Sequence, residues 1–221
     1  MNKESLKPLV IIGGGGHASV LVDVLLQQQR EILAVICPDE LSERGIFNEL
    51  PHFRKDEDVF RFDCNEVLLV NGIGALPKSG LRSKLTQFYT ASGYQFETVI
   101  ASSAQVSPFA EVHMGGQILS SAIIQAGARI GRHTIVNTGV IVEHDCDIGS
   151  FNHLAPRSTL CGQVLTGDNV YIGAGATVIQ NVRIDTNSIV GAGATITQNV
   201  PMDTICYPYR VTMKSFKWFR K

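Results

Sequence analysis

The chain has 221 residues, 44% of them hydrophobic, and a formal net charge of -1. That length suffices for one large domain or two modest ones with buried cores. The near-neutral balance argues against a nucleic-acid partner, which requires clustered Lys and Arg.

Five cysteines (Cys37, Cys64, Cys146, Cys161, Cys206), odd in number and without a CxxC pair, point to a reduced cytoplasmic protein. No run approaches the ~18 apolar residues of a membrane span, so no stable membrane insertion is expected. The one basic cluster is at the tail (Lys214, Lys217, Arg220, Lys221), interleaved with Phe216, Trp218 and Phe219, and reads as a solvated terminus.

Near the N-terminus, Leu9 to Ile12 form an apolar run that fits a buried strand. Gly13 to Gly16 follow, and then Val20, Leu21, Val24 and Leu25 recur at helical spacing. The pattern is strand, glycine turn and helix, with backbone N–H groups and the helix dipole suited to phosphate. Gly13, Gly15 and Ala18 approach the dinucleotide fingerprint, and the second strand ends near Asp39, where a carboxylate can meet a ribose hydroxyl. "EVLLVNGIGALPKSGLRSKL" repeats the plan, with Arg82 opening the helix. The unit is too short for a two-lobed dinucleotide fold, which suggests a mononucleotide handle.

From Val106 small or branched apolar residues recur every six positions through Leu160, and after a four-residue step the beat resumes at Val164 and runs to Val200. A period of six is neither helix nor surface strand; it is the hexapeptide signature of a parallel β-helix. About five turns are expected, rising roughly 4.8 Å each. The slip between Leu160 and Val164 predicts a bend or loop. "VEHDCDIGSFNH" falls between the inward positions Val142 and Ile148 and just beyond, with His144 at a solvent-facing corner. His113 and His133 read as surface residues on outer corners, His52 as part of a polar loop and Cys146 as a buried structural thiol. The His144, Cys146, Asp147 and His153 spacing matches no common zinc pattern, so no metal is expected.

"IIGGGGHASVLVDVL" together with "NTGVIVEHDCDIGSFNHLAPRSTLCGQVLTGDNVYIGAGATVI" resembles the NeuD/PglD-like sugar acyltransferases of the left-handed β-helix superfamily. The resemblance implies a Rossmann-like nucleotide-sugar domain over residues 1–102, a left-handed β-helix over 103–205 and a tail over 206–221. It further implies a homotrimer with active sites between neighbouring β-helices. The activity implied is acetyl transfer from acetyl-CoA to the 4-amino group of a nucleotide-linked 4-amino-4,6-dideoxy sugar, for surface polysaccharide. On the matching positions, His144 is implied as the base, Asp145 as its acidic neighbour and His153 as the histidine beside the thioester. Ala174 and Ala192 align with backbone contacts to the CoA arm, and Gly173 and Ala174 expose N–H groups toward an oxyanion. Gly15, Gly16 and His17 align with the diphosphate loop, and Asn71, Gly74 and Arg82 with the sugar-nucleotide side. The family's acidic pair after the second strand is replaced here by Cys37 and Pro38.

A sugar amine is largely protonated at neutral pH, and an imidazole held by a carboxylate is suited to accept its proton. Sugar O-acetylation of the sialic-acid type and a non-enzymatic nucleotide-sugar scaffold are the rival readings.

Overall fold

The structure is a computed structural model that describes residues 6–41, 44–77 and 79–208. The basic-aromatic tail lies outside the described residues.

Strand β1 (Leu9–Ile12), helix α1 (Gly16–Gln27), strands β2 (Ile32–Ile36), β3 (His52–Phe53) and β4 (Leu68–Asn71) and helix α2 (Leu81–Ala91) form the N-terminal α/β unit. Its sheet is parallel, in the order β3-β2-β1-β4. All four residues of β1 are buried, which is why its sequence is continuously apolar rather than alternating. Because β2 and β4 flank β1, the strand order reverses between β1 and β4. The turns after those two strands therefore open a crevice at the sheet's carboxyl edge. The turns touch: a Cβ on Gly13, whose φ is +97°, would stand 2.6 Å from Ile73.

From Val99 onward the chain winds as a left-handed parallel β-helix of two-residue rungs, stacked into faces of seven, six and five strands. Each turn has two kinds of inward position. One column holds Ile118, Ile124, Ile130, Val136, Val142, Ile148, Leu154 and Leu160, all at most 1% exposed. The other, two residues earlier in each hexad, holds Ala122, Ala128, Val140, Cys146, Val164, Val170 and Ala176. Burying each branched side chain stabilises the coil by roughly 1.5–3 kcal/mol before chain entropy is subtracted.

The predicted slip at Leu160 is absent. The rungs Thr159–Leu160 and Leu165–Thr166 keep the six-residue step, with Thr166 pairing in register with Ile148. Thr166 replaces an aliphatic residue in the first column because its Oγ1 accepts from the Gly149 N–H (3.0 Å) and from Asn152 Nδ2 (2.6 Å). The apolar beat only moves to the second column at Val164, so no bend is needed.

The α/β unit packs on the first turns of the coil. Val99, Ala101 and Leu119 join Leu21, Leu25 and Val22 of α1 in one apolar cluster.

Candidate active site

His144 and Asp145 form the corner between the rungs Ile141–Val142 and Asp147–Ile148. Val142 and Ile148 anchor it from inside, so the residues between them are forced outward. Asp145 adopts a left-handed φ of 58°, a conformation that short polar side chains tolerate. Its Oδ2 accepts from His144 Nδ1 at 2.9 Å. Since a carboxylate only accepts, Nδ1 carries the proton and Nε2 keeps its lone pair. Two glycines of adjacent coils make room: a Cβ on Gly162 would lie 2.6 Å from His144 Nε2, and one on Gly127 would lie 2.3 Å from Asp145 Oδ1. Both side chains remain exposed, at 60% and 58%. Cys146, next along, turns inward, donates to the Cys161 carbonyl, and burial pushes its thiol up to about 11.

His153 lies on the seven-strand face, outward of the buried Leu154. Its Nδ1 donates to the Ala75 carbonyl (2.8 Å), its Nε2 accepts from Asn137 Nδ2 (3.2 Å), and its ring meets Tyr171 edge-on at 5.1 Å. Burial holds this imidazole below the usual histidine range, which keeps it neutral. The ring stands at one end of a cleft of about 450 Å³ between the seven-strand face and the turn before α2, lined by Ala75, Leu76, Pro77, Tyr171, Ile189 and Ile205. His144 and His153 belong to different edges of the coil, so one chain alone does not bring them to one point.

Ala174 and Ala192 are stacked, exposed, one coil apart at the other border of that face, and among the described residues no carbonyl accepts from either N–H. Free amide donors one coil apart fit an extended, amide-bearing arm such as that of CoA. Gly173 does not match its expected role. It is buried, its N–H donates to the Val190 carbonyl, and a Cβ would lie 2.4 Å from the Ala192 nitrogen. Its smallness admits the next coil, and it cannot offer an oxyanion donor.

At the crevice of the α/β unit, Gly15 caps α1 and Gly16 opens it, both exposed, with no acidic residue in the first turn. Gly74 faces the Cβ of His17 across the crevice, and Asp39 stands exposed past β2. His17 Nε2 donates to Gln117 Oε1 (2.8 Å), and burial, with Arg82 nearby, lowers its pKa to about 4. Arg44, not singled out from the sequence because it lies in an irregular segment, sets its guanidinium 3.6 Å from where a Gly16 Cβ would be.

Asn71 and Arg82 differ from expectation. Asn71 is 2% exposed, with Nδ2 donating to Thr86 and the Arg82 carbonyl and Oδ1 accepting from the Ile73 N–H. Arg82 is 4% exposed and donates to the carbonyls of Asn71, Ile73 and His133. Both are committed to protein partners and do not face open space. His133 is likewise no surface residue. It is 6% exposed, stacked on Phe151 at 5.0 Å and edge-on to Phe96 at 5.2 Å. His52 sits in β3, bonded to the Cys37 carbonyl. Among the described residues no three His, Cys, Asp or Glu converge as metal ligands, and no helix is long and apolar enough to cross a membrane.

The bacterial transferase hexapeptide family (six repeats) matches residues 164–198. The chain is 31% identical to a His-to-Asn variant of perosamine N-acetyltransferase from Caulobacter crescentus, solved in complex with CoA and GDP-perosamine. That match covers 91% of this chain and 93% of the other, at a TM-score of 0.81. GDP-perosamine N-acetyltransferase from Escherichia coli is 29% identical over 179 residues, 76% of this chain and 67% of the relative. The acetyltransferase domain of PglB from Neisseria gonorrhoeae, solved with acetyl coenzyme A, shares the fold at a TM-score of 0.82 and 24% identity, over 91% of this chain and 97% of that one. With the stacked hexads and the α/β unit before them, these likenesses establish that the chain belongs to the hexapeptide-repeat acetyltransferases.

Proposed function

We propose that this protein transfers an acetyl group from acetyl-CoA to the 4-amino group of a nucleotide-linked 4-amino-4,6-dideoxy sugar, with His144 as general base. The observation that carries the reading is the His144–Asp145 pair: Nδ1 is tied to a carboxylate at 2.9 Å, and the Nε2 lone pair stands in an exposed notch above Gly162. The relatives that act on GDP-perosamine support the substrate class.

The α/β crevice holds the nucleotide, with Gly15, Gly16 and His17 at its diphosphate and Asp39 and Gly74 along its rim. The N-terminus of α1 favours anions there. Ala174 and Ala192 hold the amides of the CoA arm along the seven-strand face, and His153 stands beside the thioester. Acetyl-CoA supplies the acyl group as a thioester, so amine attack forms the C–N bond and breaks the C–S bond without an acyl-enzyme. His144 Nε2 takes the proton from the amine, and the imidazolium, stabilised by Asp145, returns it to the departing thiolate. The Ala174 N–H is the donor available to the developing oxyanion.

Because His144 and His153 occupy different edges of one coil, a homotrimer with each site between neighbouring coils completes the arrangement. The product serves surface-polysaccharide synthesis in the cytoplasm. The test is thiol release from acetyl-CoA with GDP-, dTDP- and UDP-linked 4-amino-4,6-dideoxy sugars. Turnover with one of them is expected; none with any of them overturns the reading.

A further inference from the structure

Arg82 is placed where arginine is least expected. It lies in the first turn of α2, where a cation opposes the helix dipole, and it is buried with no carboxylate paired to it among the described residues. Two unfavourable terms act on it, and neither helps the helix. What it gains is a set of carbonyls. Nη1 donates to Asn71 (2.9 Å) and Ile73 (2.7 Å), and Nε and Nη2 reach the His133 carbonyl at 3.4 and 3.3 Å. The first ends β4, the second lies in the turn that follows it, and the third belongs to a corner of the coil. Only a rigid planar fork donates to acceptors in these directions at once; a lysine ammonium has the charge without the fork.

That turn continues directly into the wall of the cleft. Ala75, two residues beyond Ile73, presents the carbonyl that accepts the hydrogen bond from His153 Nδ1. Asn71 is gripped a second time, by Gln117 Nε2 on its carbonyl at 2.8 Å. The segment from Asn71 to Ala75 is thus fixed at its near end by Arg82 and Gln117 and meets the coil at His153.

We propose that Arg82 is a positioning residue for the acyl-donor side of the site: by gripping Asn71, Ile73 and His133 it holds the Ala75 carbonyl on His153 and so sets the tautomer of that ring and the width of the cleft. This rests on the acetyltransferase reading above. Arg82 touches no substrate; it acts through Ala75.

The experiment compares wild type with Arg82→Lys, and with Arg82→Gln, which leaves no buried charge should the lysine variant fold poorly. Two readouts are used: KM for acetyl-CoA and for GDP-perosamine, and ring-nitrogen spectra of protein labelled with 15N-histidine, with the His153 signal assigned from His153→Gln. The expected result is an acetyl-CoA KM raised roughly tenfold or more, a sugar-nucleotide KM within about twofold, and a His153 ring no longer held as the Nδ1–H tautomer. Both KM values rising together, or neither moving, overturns the proposal. If wild type turns over no nucleotide amino sugar, the functional reading fails. The spectra still decide the clamp, and an unchanged His153 tautomer in a folded variant overturns it.

Discussion

The imidazole of His144 rests on Gly162 of the next coil, so closely that a methyl group there would stand 2.6 Å from Nε2. The colliding atom is the tip of a side chain with freedom to rotate, not backbone. Gly162→Ala is therefore expected to leave the coil folded while swinging the imidazole out of its notch. Activity is predicted to fall roughly 10²-fold, with a melting temperature near that of wild type. Steady-state kinetics and a thermal melt check the two halves.

Cys146 adjoins the base in sequence but points the other way, into the coil, with its thiol raised by burial to about 11. A thiol so held is not an acyl acceptor near neutral pH. Cys146→Ala is expected to keep kcat within about twofold and to lose roughly 1–2 kcal/mol of stability from the vacated core. Loss of turnover without loss of stability would reinstate a covalent route.

The hexad rhythm was legible from Val106 to Leu160 because those inward side chains are aliphatic. It misled at Thr166, where the coil keeps its register on a polar residue. Asn152 is the centre of that polar patch: its Nδ2 donates to Thr166 and its Oδ1 accepts from the Val170 N–H at 2.7 Å. Asn152→Leu leaves the buried Val170 N–H unpaired and takes one of its two donors from Thr166 Oγ1, with an expected cost of about 2 kcal/mol, measurable by urea unfolding. The corner that carries His144 was legible for the same reason as the rhythm, since it lies between two inward residues. Arg82, Asn71 and His133 were not, because their partners are distant in sequence: α2 for Asn71, and the opposite part of the chain for Arg82 and His133. Arg82 meets the carbonyl of a residue 51 positions away, and no local pattern encodes such a contact. Gly173 was misjudged because its neighbour in space, Ala192, lies one coil on.

His17 and His133 both have pKa values lowered to about 4 from 6.5, chiefly by burial and secondarily by the Arg82 charge, with Arg132 adding to the effect at His133. In the unfolded chain these imidazoles bind protons more readily than in the folded one. Their contribution is therefore fully present above about pH 6.5 and is lost as pH falls toward 4. Between pH 7.5 and 5 each buried ring is expected to cost on the order of 1–2 kcal/mol. His133→Asn, which tolerates the left-handed φ of 57°, should flatten part of that slope. Urea midpoints at the two pH values test this, and an equal slope in both proteins contradicts it.

The most direct test of the account is the rate of thiol release from acetyl-CoA with GDP-perosamine for wild type and His144→Asn. Asparagine keeps a polar side chain of similar reach but cannot accept the amine proton. The expected result is a loss of kcat/KM of roughly 10²-fold or more, with acetyl-CoA affinity little changed. Equal rates in the two proteins would contradict it, and would remove His144 from the chemistry.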